Sequence, residues 1–328
     1  MPAITGAVRN ETLPVQPQAV QNTAKLADLQ ETYKERHLGD LGINVKYNPA
    51  IPERQVDSSL AAVSVHRMVN DKLGMTTNAL HNVVEGGRDA VLSAKAPFLT
   101  SASPAQETAG THKSVTASPA DIANLPDGSY LQTQGRWLDA STVQVPAPGN
   151  VFGASGLFAS AETSLDIPLV TPISPNRDDI AAAFGVKIFD EGQTVPLKFD
   201  GNLNAVEYEF GKAYPQYRLD VANGFFIETH DFPHVFMPAS EQSEIVITVG
   251  TQLEEDQFAL TNFLVPHGSG ILVPGNTIHA DAFSSGSIIA LLTHCTEADV
   301  VLMHQPDDSP LPIKIDTSER LGLAEWHV

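Results

Sequence analysis

The sequence contains few of the residues on which several common kinds of site depend. Its 328 residues include one cysteine, Cys295, which excludes a disulfide framework and a cysteine-rich zinc site. No run of about 18 apolar residues is present, so no transmembrane helix is expected. The N-terminal stretch MPAITGAVRNETLPVQPQ lacks the basic and apolar segments of a secretory signal. We therefore expect a cytoplasmic protein that does not interact with membranes.

Basic side chains are also scarce. The chain has 19 Lys and Arg against 39 Asp and Glu, for a net charge of -20. Residues 1–165 carry 12 basic and 15 acidic side chains, whereas residues 166–328 carry 7 and 24. An acidic surface of this kind repels phosphate backbones, so we expect no nucleic-acid partner.

The sequence pattern divides the chain into three segments. Residues 1–95 are predicted to form a helical N-terminal region, because apolar residues recur there near a 3.6-residue period. Residues 96–165 are rich in Ala, Ser, Thr and Pro, which predicts a linker and loops. Residues 166–328 are predicted to form a β barrel. The helices expected in the first segment are 24–38, 59–73 and 77–94.

Within the second segment, one β hairpin is predicted over residues 128–145, with its turn near Gly135-Arg136. Residues 150–164 are rich in Gly, Ser and Ala and are predicted to be a loop. The third segment begins with a short helix, for which Ser174 is the expected N-cap, Pro175 the first residue and Gly185 the end.

Nine short apolar stretches follow, separated by Gly, Pro, Asn and Asp, which is typical of a sandwich or barrel. The predicted strands are 207–211, 225–230, 234–238, 244–250, 257–265, 270–275, 279–285, 287–294 and 299–304. The fold class is thus α+β and mainly β, with a C-terminal barrel after a partly helical N-terminal region. Cys295 lies in an apolar stretch and is expected to be a small buried residue.

The stretch VPHGSGILVPGNTIHADAF combines glycine, proline and histidine at a characteristic spacing. Five residues separate Gly268 from Pro274, and four separate Pro274 from His279. This spacing resembles the second motif of the cupin jelly-roll barrel, with Asn276 at the place of its second glycine and Phe283 at the place of its asparagine. The resemblance implies that His279 faces the barrel cavity, whereas His267 is expected to be a loop residue.

The first cupin motif has a partial counterpart. Gly224 is followed after five residues by His230, but Phe232 occupies the place of the second histidine of the His-x-His pair. The usual metal-binding set of three histidines and one glutamate is therefore expected to be incomplete, with His234 as a spare ligand.

Residues 166–305 also resemble ureidoglycolate lyase, a cupin-like family of purine (allantoin) catabolism. The stretch ETHDFPHVFMP matches the family's Glu-x-His and Phe-x-Pro positions, and FGKAYP has Lys212 in place of an arginine. Family histidines align with Pro274 and Ala280. The positions at which the chain matches the family are Glu228, His230, Phe236, Pro238, Leu260, Phe263, Gly268, Gly270 and His279.

The resemblance implies cleavage of ureidoglycolate into glyoxylate and urea, which requires a base, an acid and a cation that binds the substrate carboxylate. Glu228 and His230 lie two residues apart and share a strand face, and His279 can supply the other proton-transfer group. Lys212 or Arg218 is expected to bind the carboxylate of this small substrate. A divalent metal ion, if one is present, would be held by His230, His279, Glu228 and His234.

Two other functions are compatible with these residues. One is a metal-dependent cupin isomerase or dioxygenase with another substrate. The other is a barrel without catalytic activity, used for ligand binding or assembly. Under all three hypotheses a homodimer is expected, because cupin barrels commonly pair through their edges.

Overall fold

The computed structural model describes residues 117–138, 156–190, 193, 224–230, 233–281, 283–291 and 301–315, and the backbone of strands elsewhere in the chain. Within these residues the fold is mainly β, with the two short helices α1 (Pro119–Ile122) and α2 (Arg177–Ala183). Neither helix is long and apolar enough to span a membrane. The strands are β1 (Gln18–Ala19), β2 (Met75–Val84), β3 (Ala90–Ser93), β4 (Ala96–Ser101), β5 (Leu131–Leu138), β6 (Gly156–Ser160), β7 (Leu165–Ile167), β8 (Leu169–Val170), β9 (Lys187–Phe189), β10 (Thr194–Leu197), β11 (Leu203–Phe210), β12 (Phe226–His230), β13 (His234–Pro238), β14 (Ile245–Glu254), β15 (Gln257–Val265), β16 (Gly270–Val273), β17 (Ile278–Ala280), β18 (Gly286–Leu292), β19 (Ala298–His304) and β20 (Ile313–Ile315).

Seven strands close into a barrel. Their order is β14-β17-β12-β19-β6-β5-β15, and β15 pairs back with β14 to complete the ring. The β19–β6 pair is parallel and the other pairs are antiparallel. Strand direction must return to its start around a closed ring, so seven strands require an odd number of parallel pairs. The single parallel pair therefore permits the barrel to close.

A second, antiparallel sheet, the open sheet, has the order β1-β2-β11-β18-β13-β16-β9. It packs against the outer face of β14 and β15, where side chains such as Ile247 and Phe263 meet Phe236 and Ile288 of the open sheet in one buried cluster. Burial of these side chains is the main favourable contribution to the packing of the two layers, because each removes a large apolar area from water.

The interior of the barrel forms a second apolar cluster. Phe158 on β6 and Phe258 on β15 pack edge to face, with ring centroids 5.1 Å apart, across the intervening strand β5. This contact is possible because β5 has Gly135 at that point, where any β-carbon would collide with the Phe158 ring. The glycine therefore allows large side chains from non-adjacent strands to fill the barrel.

The nine strands predicted for the C-terminal segment are all present, as β11 to β19, with most ends within a few residues. Phe225, Phe226 and Phe236 are buried. The mainly β character and the barrel are thus confirmed.

The helix predicted over 77–94 is wrong. The chain forms β2 and β3 there, and β2 pairs with β11 in the open sheet over nearly its whole length. The β-branched pairs Thr76-Thr77 and Val83-Val84 suit this pairing, and Gly86-Gly87 falls between the two strands. The other two predicted helices lie outside the described residues, and the division into three segments stays a prediction.

The hairpin with a turn at Gly135-Arg136 is also wrong. The strand β5 continues through both residues, because Gly135 provides space for Phe158 and does not turn the chain. Part of the predicted loop over 150–164 is the strand β6, which lies between β5 and β19. The isolated sequence gave no signal for these pairings, because both depend on partners distant in the chain.

The helix α2 begins two residues later than predicted. Asn176 is its N-cap, in the left-handed region with φ 63°, and Pro175 precedes it. The Ser174 hydroxyl instead accepts a hydrogen bond from the Thr171 backbone N–H at 2.8 Å. Gly185 follows the helix with φ 75° and ends it as expected.

Candidate metal centre

The first two residues of the candidate site lie on β12. In its sequence FIETH, Glu228 and His230 are two residues apart and point to the same side of the strand, whereas Thr229 points to the other. Both side chains are buried, with 4 % and 5 % of their surface exposed. A buried carboxylate requires a partner, because leaving it uncompensated in the protein interior is costly.

The third residue, His279, comes from the neighbouring strand β17. It is the direct cross-strand partner of Glu228, and its Nε2 lies 3.4 Å from Oε1 of that carboxylate. The fourth residue, His234, lies on β13 in the open sheet and approaches from the opposite layer. The site is therefore built where the outer face of the barrel meets the open sheet.

The four side chains converge closely. One ligand atom from each of Glu228, His230, His234 and His279 lies within 4.8 Å of the others. His230 Nε2 is 3.3 Å from His234 Nδ1 and 3.2 Å from His279 Nε2, and the last two nitrogens are 3.2 Å apart. Three ring nitrogens thus form a triangle with a carboxylate oxygen beside it.

The tautomer of His279 follows from its second ring nitrogen. His279 Nδ1 lies 2.9 Å from the Thr277 carbonyl oxygen, which can only accept, so Nδ1 carries the proton. Burial lowers the pKa of His279 to about 4, although the Thr277 carbonyl and the charge of Asp281 act in the opposite direction. The ring is therefore neutral near pH 7, and its Nε2 lone pair faces the other donors. Its contact with Glu228 is then not an ion pair.

These lone pairs fit a bound cation. Three imidazole nitrogens cannot all hydrogen-bond to one another, since a ring N–H can point at only one neighbour. A divalent metal between them would accept a lone pair from each ring and an oxygen from Glu228. The donor set suits Mn, Fe, Ni or Zn better than Mg or Ca, which prefer oxygen ligands. The prediction of a divalent metal site therefore agrees with the donor set that the structure contains.

The turn between β16 and β17 positions two of these ligands. Asn276 has φ 63°, a left-handed conformation that asparagine tolerates better than most residues. The Asn276 backbone N–H donates to the His230 carbonyl oxygen at 2.6 Å. The turn therefore ties the end of β12 to the start of β17, and Asn276 takes the conformation expected of a glycine at that motif position.

Most of the predicted site residues are brought together. Glu228, His230 and His279 meet as expected, and His234 joins them as a full member. The expectation that His279 faces the barrel cavity is wrong, because its side chain lies on the outer face of the closed ring, towards the open sheet. The expectation of an incomplete set of three histidines and one glutamate is wrong, because Glu228 supplies the carboxylate and His234 the third imidazole. Lys212 and Arg218 lie outside the described residues, as does Cys295.

Two further residues of the stretch that resembles the second cupin motif have other roles. His267 is exposed in the turn between Pro266 and Ser269, as predicted for a loop residue. Phe283, at the place of the motif's asparagine, is buried and stacks on Phe225 with ring centroids 5.0 Å apart.

One polar residue near the site was not identified from the sequence. Asp281 is buried, and its Oδ1 has no hydrogen-bond partner among the described residues. Its charge acts on His279, two residues earlier. The only sequence signal was its position in IHADAF, two residues after His279. Residues two apart on a strand point to the same face.

No protein-family model matches the chain, and neither does any curated protein. The function is therefore inferred from the geometry of the site.

Proposed function

We propose that the protein is a metal-dependent enzyme with a cupin-type jelly-roll barrel, acting on a small polar carboxylate. The observation that supports this most strongly is the buried convergence of Glu228, His230, His234 and His279 within 4.8 Å. Without a bound cation, such a cluster would hold three imidazole nitrogens against one another and against a carboxylate oxygen. Both the barrel and the open sheet contribute side chains to this cluster.

Each residue has a definite part in this proposal. The three imidazoles and Glu228 hold a divalent first-row metal, which when bound supplies a Lewis acid for oxygen atoms of the substrate. The Thr277 carbonyl fixes the His279 tautomer, as outer partners of metal-ligating histidines commonly do. Phe236, whose ring centroid lies 4.5 Å from that of His234, shields one side of the site from water. Asp281 is buried two residues beyond His279, and its charge acts on that ring.

The metal content of the purified full-length protein tests the proposal. We expect elemental analysis to find one equivalent of Mn, Fe, Ni or Zn per chain after reconstitution. His279→Ala and Glu228→Gln should each reduce metal affinity at least about tenfold, because each removes a direct ligand. His267→Ala is the matched control, since this histidine is exposed in a turn, and it should retain the metal. Equal metal content in all four proteins would contradict the proposal.

Cleavage of ureidoglycolate is the second candidate, and one contact favours it. Glu228 Oε1 and His279 Nε2 face each other at 3.4 Å, an arrangement suited to an acid–base pair. In this reaction one group removes the hydroxyl proton and the carbon–nitrogen bond breaks. Glyoxylate is released, and the proton taken from the hydroxyl passes through this pair to the departing nitrogen of urea. Lys212 or Arg218 would bind the substrate carboxylate.

The two candidates differ in their response to a chelator. Release of urea and glyoxylate from ureidoglycolate that persists after the metal is removed, and is lost in His279→Ala, would favour the metal-free lyase. Release that requires added metal would place the same reaction at the metal centre. A folded, metal-loaded protein that turns over neither ureidoglycolate nor other small carboxylates would favour a barrel without catalytic activity.

A further inference from the structure

A cavity lies at one end of the barrel, and none of the four metal ligands lines it. Its volume is about 530 Å³, within the range of small-molecule sites. Five barrel strands and the β16–β17 turn line it. The barrel residues are Trp137, Thr229, Gly250, Thr251, Gln252, Phe258 and Ile278. Because these strands are adjacent around one end of the ring, the cavity is a mouth of the barrel interior.

Strand alternation separates this cavity from the four metal ligands. Thr229 lies between Glu228 and His230 on β12, and Ile278 directly precedes His279 on β17. Successive side chains point to opposite faces of a strand. The cavity therefore lies inside the barrel, whereas the metal centre lies on its outer face.

The lining is neutral and has two kinds of surface. Trp137, Phe258 and Ile278 provide an apolar wall, while the side chains of Thr229, Gln252 and other Thr and Asn residues provide hydroxyl and amide groups. None of the lining residues carries a charge. Hydroxyls and amides both donate and accept hydrogen bonds, so they match a ligand whose own groups do both.

The neighbouring surface disfavours an anion. The β14–β15 turn, which joins the strands of Gln252 and Phe258, carries the exposed residues Glu254, Glu255 and Asp256. These charges repel an anionic ligand as it approaches, and no cationic side chain in the lining offsets them. A neutral ring with hydroxyl groups along its edge and an apolar face fits the uncharged lining and the acidic turn beside it.

We propose that this mouth binds a neutral, polyhydroxylated ring, such as the pyranose of a glycoside. The apolar face of the sugar packs against Trp137, and its hydroxyls bond to Thr229 and Gln252. This site does not depend on a metal, so it is independent of the function proposed above.

Tryptophan fluorescence tests the proposal, because Trp137 and Trp326 are the two tryptophans of the chain. In a Trp326→Phe background, Trp137 is the only emitter. We expect methyl β-glucoside, methyl β-galactoside or methyl α-mannoside to change its emission saturably, with a millimolar dissociation constant, in the presence of a chelator. The negatively charged methyl β-glucuronide and the positively charged glucosamine should bind at least about tenfold more weakly.

Matched variants locate the binding. Thr229→Val removes one hydroxyl at nearly constant volume and should weaken glycoside binding by about three- to tenfold. Thr163→Val, at an exposed position outside the cavity, should have no effect. Saturation-transfer NMR with Trp137→Phe provides a second test, with loss of contact to the sugar expected. The proposal is overturned if no neutral glycoside binds, if the charged analogues bind equally well, or if Thr229→Val equals its control.

Discussion

At the scale of single residues, the site depends on which atoms carry lone pairs. Burial leaves His279 neutral, and the Thr277 carbonyl fixes its tautomer, so that Nε2 is directed at Glu228, His230 and His234. Sequence alternation could predict that Glu228 and His230 share a face. It could not predict that His234 completes the set, because this residue lies on another sheet and its approach depends on how the two sheets pack.

The conformation of Asn276 leads to a prediction at this scale. Its φ of 63° is strained for a β-branched residue, so Asn276→Val should lower the free energy of unfolding by about 1–2 kcal/mol. Asn276→Gly adopts this conformation without strain and is the control. Urea unfolding curves measure both. A valine variant as stable as the glycine variant would show that the turn does not require this conformation.

At the scale of elements, the short helix α2 is held to the sheet by one polar cluster. Arg177 forms two hydrogen bonds with Asp190, at 2.7 and 3.2 Å, and the Ser269 hydroxyl donates to the same carboxylate at 2.9 Å. The hydrogen bonds from Arg177, followed by that from Ser269, lower the pKa of Asp190, against the effect of burial. This cluster joins the start of α2 to the end of β9 and to the turn before β16.

The lowered pKa of Asp190 gives a pH-dependent prediction. Its carboxylate stabilises the folded state above the unfolded pKa of about 4, and this contribution is lost as pH falls through the lower folded pKa. Asp190→Asn should therefore reduce the free energy of unfolding at neutral pH, and the difference from the natural protein should shrink in acid. Urea unfolding at several pH values measures this.

The neighbouring residue Asp178 provides the control. It also contacts Arg177, at 3.0 Å, but its side chain is 79 % exposed. Exposed ion pairs contribute little, so Asp178→Asn should have a smaller effect than Asp190→Asn. Equal effects of the two substitutions would contradict the structural role assigned to the cluster.

A second element-scale prediction concerns β5. Gly135→Ala places a methyl group against the Phe158 ring and should cost about 1–3 kcal/mol of stability through overpacking. Combining it with Phe158→Leu should recover part of this loss, because the shorter side chain leaves room. Thermal or urea unfolding of the two single variants and the double variant measures the coupling. Strictly additive losses would mean that the two residues do not meet.

At the scale of the whole molecule, the sequence predicted local structure better than connectivity. All nine strands from β11 to β19 could be located from short apolar stretches bounded by Gly, Pro, Asn and Asp. The contributions of β2 to the open sheet and of β5 and β6 to the barrel could not. These strands pair with partners that are distant in sequence, and the parallel β19–β6 pair has no local signal.

The four metal ligands and the cavity at the barrel mouth lie in separate places, on opposite faces of β12 and β17. The acidic second half repels anions in general, so a carboxylate substrate must be drawn in by the proposed metal or by a cationic residue.

We propose that the protein is a homodimer, which light scattering on the purified chain can measure.

X-ray absorption spectroscopy on the reconstituted, metal-loaded protein tests the central claim most directly, because it reports the atoms around the ion. The account predicts imidazole scattering from three histidines and one carboxylate oxygen, with one imidazole lost in His234→Ala. A metal environment of oxygen ligands alone, unchanged in that variant, would contradict it.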